Sequence, residues 1–254
     1  MPSMLRTLLL SLPAVLLLVT SPLRGAGVTG DVLEGYDALL QAHVDDAGYV
    51  DYRGLSEQRG PLDAFVASLA EVDRTALNPQ QDLALLINAY NAMTLQLVLD
   101  HGAADGSLVT IKDAAGGDPW DGPTWDVGGE ALTLNQLEHS VMRETYQEPR
   151  LHWAVVCAAV SCPPLRAEAY TGAALEQQLA DQESRVFSGR DERFLKRAPT
   201  GGWLVTQILK WYAKDFNDGD WKGYALQRMP KPKLITAMLD YNWRLNTQAN
   251  RQGR

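Results

Sequence analysis

The segment at residues 82–100 is apolar on nearly every side of a helix, and this feature constrains the fold more than any other. Its apolar side chains leave no clear polar stripe, and they are Leu83, Leu85, Leu86, Ile87, Met93, Leu95, Leu97, Val98 and Leu99. A helix of this kind is buried all round, because none of its faces favours water. Asn78-Pro79 before it and His101-Gly102 after it are typical start and stop signals. The remaining chain must therefore pack around a central helix.

Apolar residues recur at helical spacing in several further segments, at residues 32–44, 62–72, 172–187, 206–216 and 233–239. Thr133 and Gln136 have the spacing of a capping box, which predicts another helix, ending near residue 146. Short extended segments are predicted at residues 49–52, 151–160 and 241–245, and glycine pairs predict hairpin turns at residues 128–129 and 201–202. We therefore predict an α+β fold: a mostly helical single domain with a buried central helix and a small sheet with hairpins.

Residues 1–27 have the pattern of a secretory signal peptide, which leaves residues 28–254 for the folded domain. Arg6 supplies the positive start, residues 8–19 are almost all apolar, and residues 25–27 are small. The apolar run is about 12 residues, shorter than the roughly 20 that span a bilayer, so cleavage is favoured over a membrane anchor. We expect a soluble periplasmic or secreted protein that makes no stable membrane insertion after cleavage.

The charge balance argues against one class of partner. The chain has 31 acidic and 23 basic side chains and a formal net charge of −8. No cationic stripe is present of the kind that neutralises phosphates, so nucleic acid is not expected to bind. The expected partner is a small molecule or a peptide of unknown identity.

Several short motifs follow one another in an order and spacing typical of one family: INAYNA at 87–92, IKD at 111–113, LEH at 137–139, PRLH at 149–152, CAAVSCPP at 157–164 and YNWRLN at 241–246. In these motifs the chain resembles the bacterial and plant family known as domain of unknown function 547. The resemblance covers nearly the whole mature chain, but it implies no activity, because the function of the family is not established. Two residues depart from the family pattern: Leu86 replaces an aromatic residue and Ala159 a serine. The resemblance therefore supports no mechanism that uses that serine.

Cys157 and Cys162 are the only cysteines of the chain, and three interpretations remain open for them. They form a disulfide, supply a thiol nucleophile, or act as metal ligands together with histidines. A disulfide here closes a very small loop and restrains the unfolded chain little. No two of the four histidines stand at the i, i+4 spacing of a zinc-binding helix, so metal is the weakest interpretation and we assign neither metal nor cofactor.

Glu138 falls on the apolar face of its predicted helix, so its carboxylate points inward. A buried carboxylate needs a partner or a proton, which leaves two interpretations: an ion pair with a residue such as Arg150, or a role in a site. His139 lies on the flank of the same face and is the expected base for either cysteine. On a strand at 151–160, His152 lies about 16 Å from Cys157 on the opposite face, so we predict a substrate-binding role for His152 instead.

Asn88 and Asn91 lie three residues apart on the central helix, on either side of Tyr90. Their buried amides either tie neighbouring loops to the helix or line a cleft beside Tyr90, so all three are candidate substrate-binding residues.

The function that these patterns favour is an exported cysteine-dependent hydrolase or acyl transferase. Cys157 or Cys162 is the nucleophile, His139 is the base, and Glu138 or Asn88 supports them. The alternative is a noncatalytic binding or scaffold protein with a Cys157–Cys162 disulfide. A metal-dependent enzyme that uses His and Cys ligands is the lesser alternative.

Overall fold

The computed structural model describes residue 28 and residues 30–251, so the predicted signal peptide at 1–27 lies outside the described residues. The α-helices are α1 (Gly30–His43), α2 (Tyr52–Glu57), α3 (Gly60–Ser68), α4 (Pro79–Asp100), α5 (Leu134–Gln136), α6 (Glu144–Tyr146), α7 (Leu175–Phe187), α8 (Ile208–Trp211), α9 (Trp221–Arg228) and α10 (Gln248–Arg251). The strands are β1 (Trp125–Val127), β2 (Glu130–Leu132), β3 (Leu195–Arg197), β4 (Trp203–Val205) and β5 (Ile235–Met238). The predicted α+β class is confirmed.

Short 3₁₀ segments and one π-helical segment complete the architecture. The 3₁₀ turns are Leu69–Glu71, Arg74–Ala76, Ile111–Gly117, Pro149–Trp153, Ala213–Asp215 and Asn217–Gly219. A π-helical segment, Leu137–Arg143, joins α5 to α6 into one continuous helix, which begins at the predicted capping box of Thr133 and Gln136.

Helix α4 is the buried central helix that the sequence predicts. It begins at a capping box in which Asn78 and Gln81 bond each other's backbone, with Pro79 in the first turn. By length and composition α4 could cross a membrane, but 94% of its most apolar window is buried inside the protein. That burial is typical of a core helix.

Two groups of buried side chains pack the domain. The main core surrounds α4 and includes side chains from α1 and α3. The second core is built largely from aromatic rings, and its largest members are Trp153, Phe187, Phe194, Trp203, Phe216 and Tyr224. Tyr241 packs against both cores, so it marks their boundary.

The two predicted hairpins are present. Strands β1 and β2 pair antiparallel, and so do β3 and β4, with glycines of positive φ in both turns. The predicted helix at 233–239 is wrong, because β5 runs parallel to β4 there. Backbone hydrogen bonds join this segment to the edge of β4. They run from Trp203 N to Leu234 O at 2.9 Å and from Leu239 N to Val205 O at 2.7 Å.

The structure also differs from the predictions at residues 49–52 and 206–216. The strand at 49–52 is reduced to isolated bridges of Val50, because Asp51 caps the start of α2 at Tyr52. The helix at 206–216 breaks into α8 and short 3₁₀ turns, and α9 and α10 were not predicted.

The predicted buried strand at 151–160 is also wrong. A 3₁₀ turn, Pro149–Trp153, is followed by irregular backbone. The side chain of Asn91 takes the place of a neighbouring strand, because its amide donates to Ala154 O at 3.0 Å and accepts from Val156 N at 2.9 Å. A buried segment can therefore remain irregular when a side-chain amide satisfies its backbone.

The extended segment at 241–247 fastens the cysteine loop, residues 157–162. Val160 N donates to Arg244 O at 2.8 Å, and Asn246 N donates to Ala158 O at 2.8 Å. Asn242 N donates to the Ser161 hydroxyl at 2.9 Å. These bonds hold Tyr241 beside the two cysteines.

Candidate active site

A pocket of about 330 Å³ opens where the two cores meet. Six of the predicted catalytic and substrate-binding residues line it, namely Tyr90, Glu138, His139, His152, Cys157 and Cys162. The inward carboxylate and the two thiols therefore converge on one cleft. A larger cleft of about 660 Å³ has an arginine-rich lining that includes neither cysteine nor histidine. The smaller pocket is therefore the candidate active site.

Asn88 and Asn91 are outside this lining. Asn88 donates to Tyr170 O at 2.7 Å and accepts from Tyr170 N at 2.8 Å. Asn91 makes the equivalent pair of bonds to the segment before Cys157. Both amides hold loops against α4, which is the first of the two interpretations given to them.

The two sulfur atoms lie 2.9 Å apart, and both cysteines are free thiols. A turn bonded from Cys162 N to Ala159 O at 3.0 Å folds the loop back, with Ala158 in the left-handed region at φ 56°. Cys162 is 4% exposed, whereas Cys157 is half-buried. The loop thus leaves Cys157 partly exposed at the pocket and buries Cys162 more deeply beside it.

Hydrogen bonding distinguishes the two thiols chemically. The bond from Cys162 lowers the pKa of Cys157, with further contributions from the Tyr241 hydroxyl, 3.3 Å away, and the Ala159 N–H. Burial raises the pKa of Cys162 well above its ordinary value. Since the thiolate is the reactive form of a cysteine, these effects favour ionisation of Cys157 over that of Cys162.

His152 is held by a carboxylate from a distant part of the chain. Its Nε2 lies 2.7 Å from Asp215 Oδ2, and its ring stacks on Tyr212 with centroids 3.9 Å apart. Arg143 also bonds Asp215, at 2.7 and 3.0 Å. The hydrogen bond from His152, and then that from Arg143, hold the pKa of Asp215 well below its ordinary value. The predicted separation of about 16 Å between His152 and Cys157 assumed a strand at residues 151–160. That assumption is wrong, and the two residues line the same pocket.

Glu138 is 5% exposed, which confirms its predicted inward position. The alternative of an ion pair with Arg150 is wrong, because Arg150 bonds Glu148 and Glu176 instead. Glu138 Oε1 lies 3.9 Å from His152 Nδ1, and in the described part of the chain neither atom has a hydrogen-bond partner. At that distance the two atoms do not hydrogen bond each other, so each needs a partner from outside the described protein atoms, such as a water or a ligand group.

His139 is half-buried at the pocket and lies over Tyr212, with ring centroids 6.0 Å apart. The Arg143 guanidinium donates to His139 Nδ1. The lone pair of that nitrogen is therefore occupied, and the proton of the neutral ring is on Nε2. Among the described residues, no hydrogen bond joins His139 to either sulfur. The structure thus brings the predicted base His139 to the pocket, where its Nδ1 is bonded to Arg143.

Sequence reasoning missed Asp215, Arg143, Tyr212 and Tyr241. Burial and then the charge of Glu138 raise the pKa of Tyr212, so its hydroxyl keeps its proton beside that carboxylate. Tyr241 belongs to the motif at 241–246, which was the one available signal for it. The other three bear no local pattern that marks a site.

The pocket entrance is aromatic. Trp211 is 49% exposed and stacks on Trp243 with ring centroids 5.8 Å apart. Trp120 and Tyr241 pack against the same Trp243 ring, and Lys112 Nζ lies 3.7 Å above it. Exposed rings of this kind offer flat faces to a ligand.

A protein metal site needs several ligating side chains close together. Among residues 28 and 30–251, no three His, Cys, Asp or Glu side chains cluster as metal ligands do. The metal interpretation therefore gains no support from the placement of Cys157, Cys162 and the two pocket histidines.

Comparison with known proteins adds a family resemblance. The family model described as Protein of unknown function, DUF547 matches residues 74–186. No curated protein and no solved structure matches the chain. The matched range contains Glu138, His152 and the cysteine loop, whereas the motif at 241–246 lies beyond it. Over residues 74–186 the chain resembles the DUF547 family, as its motifs predicted, and that family is described as one of unknown function.

Proposed function

We propose that the protein is a cysteine-dependent hydrolase or acyl transferase and that Cys157 is its nucleophile. The observation that carries the proposal is the set of donors around one pocket-facing sulfur. Cys162, the Tyr241 hydroxyl and the Ala159 N–H all bond Cys157 and lower its pKa. A thiolate prepared in this way attacks without a base in direct contact with the sulfur.

The reaction begins when the Cys157 thiolate attacks the carbonyl carbon of an ester, thioester or amide. The tetrahedral intermediate expels the leaving group, which takes up a proton, and an acyl-enzyme remains. Water or another acceptor then attacks the acyl carbon, gives up a proton and releases Cys157. Water yields hydrolysis, and any other acceptor yields acyl transfer.

His152 is a better candidate for these proton transfers than the predicted His139. Asp215 fixes the His152 ring through Nε2, which leaves Nδ1 directed toward Glu138 at 3.9 Å. His139 Nδ1 already accepts from Arg143. Glu138 and His152 can therefore pass one proton between themselves and a group in the pocket.

The pocket supports a small organic or peptide substrate. Its volume of about 330 Å³ suits a small group or a single side chain. Trp211 and Trp243 give the entrance flat apolar faces, which bind rings, acyl chains or sugar faces.

We also propose that residues 1–27 direct export and that the enzyme works in the periplasm or outside the cell. The support is the positive start and the short apolar run of that segment. Fractionation of cells that express the full chain, with the mass of the recovered protein, tests this directly. Full-length protein in the cytoplasm would contradict it.

The nucleophile is tested by acylation and alkylation. Purified protein is incubated with p-nitrophenyl esters, acyl thioesters and fluorogenic amides, and intact mass spectrometry is used to find an acyl group on Cys157. We expect acylation in the wild type and in Cys162→Ser, and none in Cys157→Ser. In parallel, iodoacetamide should modify Cys157 faster than a free cysteine at pH 7.

Two results would overturn the proposal. One is turnover of a substrate by Cys157→Ser at the wild-type rate. The other is the absence of acylation by every substrate class together with an alkylation rate no greater than that of free cysteine. The second result would favour the noncatalytic scaffold alternative.

A further inference from the structure

We propose that Cys157 and Cys162 act as a dithiol pair that reduces a disulfide substrate, with Cys157 as the attacking thiol and Cys162 as the resolving thiol. This activity shares its nucleophile with the proposed function but requires no acyl transfer. It gives Cys162 a covalent role, whereas in the acyl-transfer mechanism Cys162 acts only as a hydrogen-bond partner of Cys157. Its substrate class is a small-molecule or peptide disulfide.

The two sulfur atoms are already close enough to form a disulfide with little movement. At 2.9 Å apart they need to approach by less than 1 Å to reach a disulfide bond length of about 2.05 Å. The turn from Cys162 N to Ala159 O already directs both side chains to the same point. The pair can therefore form a bond without rearrangement of the loop.

The unequal burial of the pair is the second argument. Cys157 is half-buried at the pocket, so an external disulfide can reach it, whereas Cys162 is 4% exposed and reacts only within the protein. The Cys157 backbone N–H donates to the Cys162 sulfur at 2.8 Å. This N–H stabilises the negative charge of the Cys162 thiolate when Cys162 attacks the mixed disulfide on Cys157.

The Tyr241 hydroxyl also favours reactivity of the thiol pair. Tyr241 hydrogen bonds Cys157 at 3.3 Å, and burial first, then the charge of the two cysteines, raise its own pKa well above the ordinary value. It therefore remains a donor at neutral pH. A donor that hydrogen bonds both cysteines can support a thiolate on either.

The chemistry balances in two steps. The Cys157 thiolate attacks one sulfur of R–S–S–R′, which forms the mixed disulfide Cys157–S–S–R and releases R′–S⁻. The Cys162 thiol gives its proton to R′–S⁻, and the resulting thiolate attacks the Cys157 sulfur, which forms the Cys157–Cys162 disulfide and releases R–S⁻. Two electrons pass from the dithiol to the substrate. A low-molecular-weight dithiol then reduces the protein disulfide and closes the cycle.

Bis(2-hydroxyethyl) disulfide is a suitable probe, because it is small enough for the pocket. The reduced full-length or mature protein is mixed with it, quenched with acid, alkylated under unfolding conditions and weighed by mass spectrometry. We expect the wild type to lose both free thiols, to gain no adduct and to release two equivalents of 2-mercaptoethanol. Cys162→Ser should stop at a stable mixed disulfide on Cys157, and Cys157→Ser should react at a far lower rate.

The outcomes separate this proposal from the proposed function. A wild-type protein that accumulates a stable mixed disulfide, or retains two free thiols while Cys157 still alkylates rapidly, overturns the dithiol activity and leaves the nucleophile intact. Slow alkylation of Cys157 together with formation of the internal disulfide would count against acyl transfer instead. Cys162→Ala, checked by thermal unfolding, guards against a folding defect specific to serine and should also stop at the mixed disulfide.

Discussion

His152 Nε2 and Asp215 Oδ2 lie 2.7 Å apart, although 63 positions separate the two residues in the chain. This bond fixes the tautomer and the orientation of a buried imidazole that lines the pocket. Asp215→Asn should therefore leave the pocket intact but lower kcat/KM about 100-fold or more for any ester or thioester that acylates Cys157. Steady-state kinetics measure this change. Asp218→Asn, at an exposed nearby site, is the matched control and should behave as the wild type.

The same carboxylate makes stability depend on pH. Its pKa in the folded protein is lowered, first by His152 and then by Arg143, so ionised Asp215 stabilises the fold above the pKa of the unfolded chain, about 3.9. That contribution is lost as the pH falls through the lower pKa of the folded state. We expect the deficit of Asp215→Asn in the free energy of unfolding to be largest near pH 6 and to shrink below about pH 4. Urea titrations across this range measure it, and a constant deficit would contradict the account.

Tyr241→Phe removes one of the donors to the Cys157 sulfur. Its loss should raise the pKa of Cys157, because the thiolate is less stabilised. The pH midpoint of iodoacetamide alkylation should then move upward. Tyr212→Phe is a matched control from the same pocket, since the Tyr212 hydroxyl lies beside Glu138 rather than bonding to sulfur, and an equal shift in both variants would refute the assignment.

Glu138→Gln should move the pH midpoint of Cys157 alkylation downward. The negative charge of Glu138 raises the pKa of Cys157, so its removal makes the thiolate easier to form. Alkylation should become faster at low pH, whereas acyl-transfer turnover should fall because a proton-transfer group is lost. A variant that loses reactivity and turnover together would show that Glu138 supports the thiol in some other way.

Asn91→Ala should destabilise the fold. It leaves Ala154 O and Val156 N buried without partners, at a cost of about 1–3 kcal/mol for each group. Chemical denaturation should therefore show a loss of roughly 2–5 kcal/mol. Gln177→Ala, which removes only an exposed bond to Asp181, should change stability by less than about 0.5 kcal/mol. Comparable losses in both variants would disprove the anchoring role of Asn91.

Features with a local physical cause could be predicted from the sequence. The apolar surface of α4, the capping boxes at Asn78 and Thr133, and the glycine turns of both hairpins all depend on residues a few positions apart. The inward position of Glu138 follows from the period of an α-helix, which places it on the apolar face.

The remaining features depend on contacts between distant segments. Asp215 meets His152 across 63 positions and Tyr241 meets Cys157 across 84, and no periodicity reports such pairs. The segment at 151–160 was mistaken for a strand because its burial is satisfied by Asn91 and not by a strand partner. The helix expected at 233–239 became β5 because the free edge of β4 outweighed its local pattern.

The fastening of the cysteine loop by residues 241–247 has a consequence for biosynthesis. A nascent polypeptide carries Cys157 out of the ribosome long before Tyr241, the donor that sits 84 positions further on, has been translated. Until that later stretch emerges and docks, the sulfur lacks one of its donors and the loop lacks its backbone partners. The environment that lowers the pKa of Cys157 is thus complete only after synthesis has passed this segment.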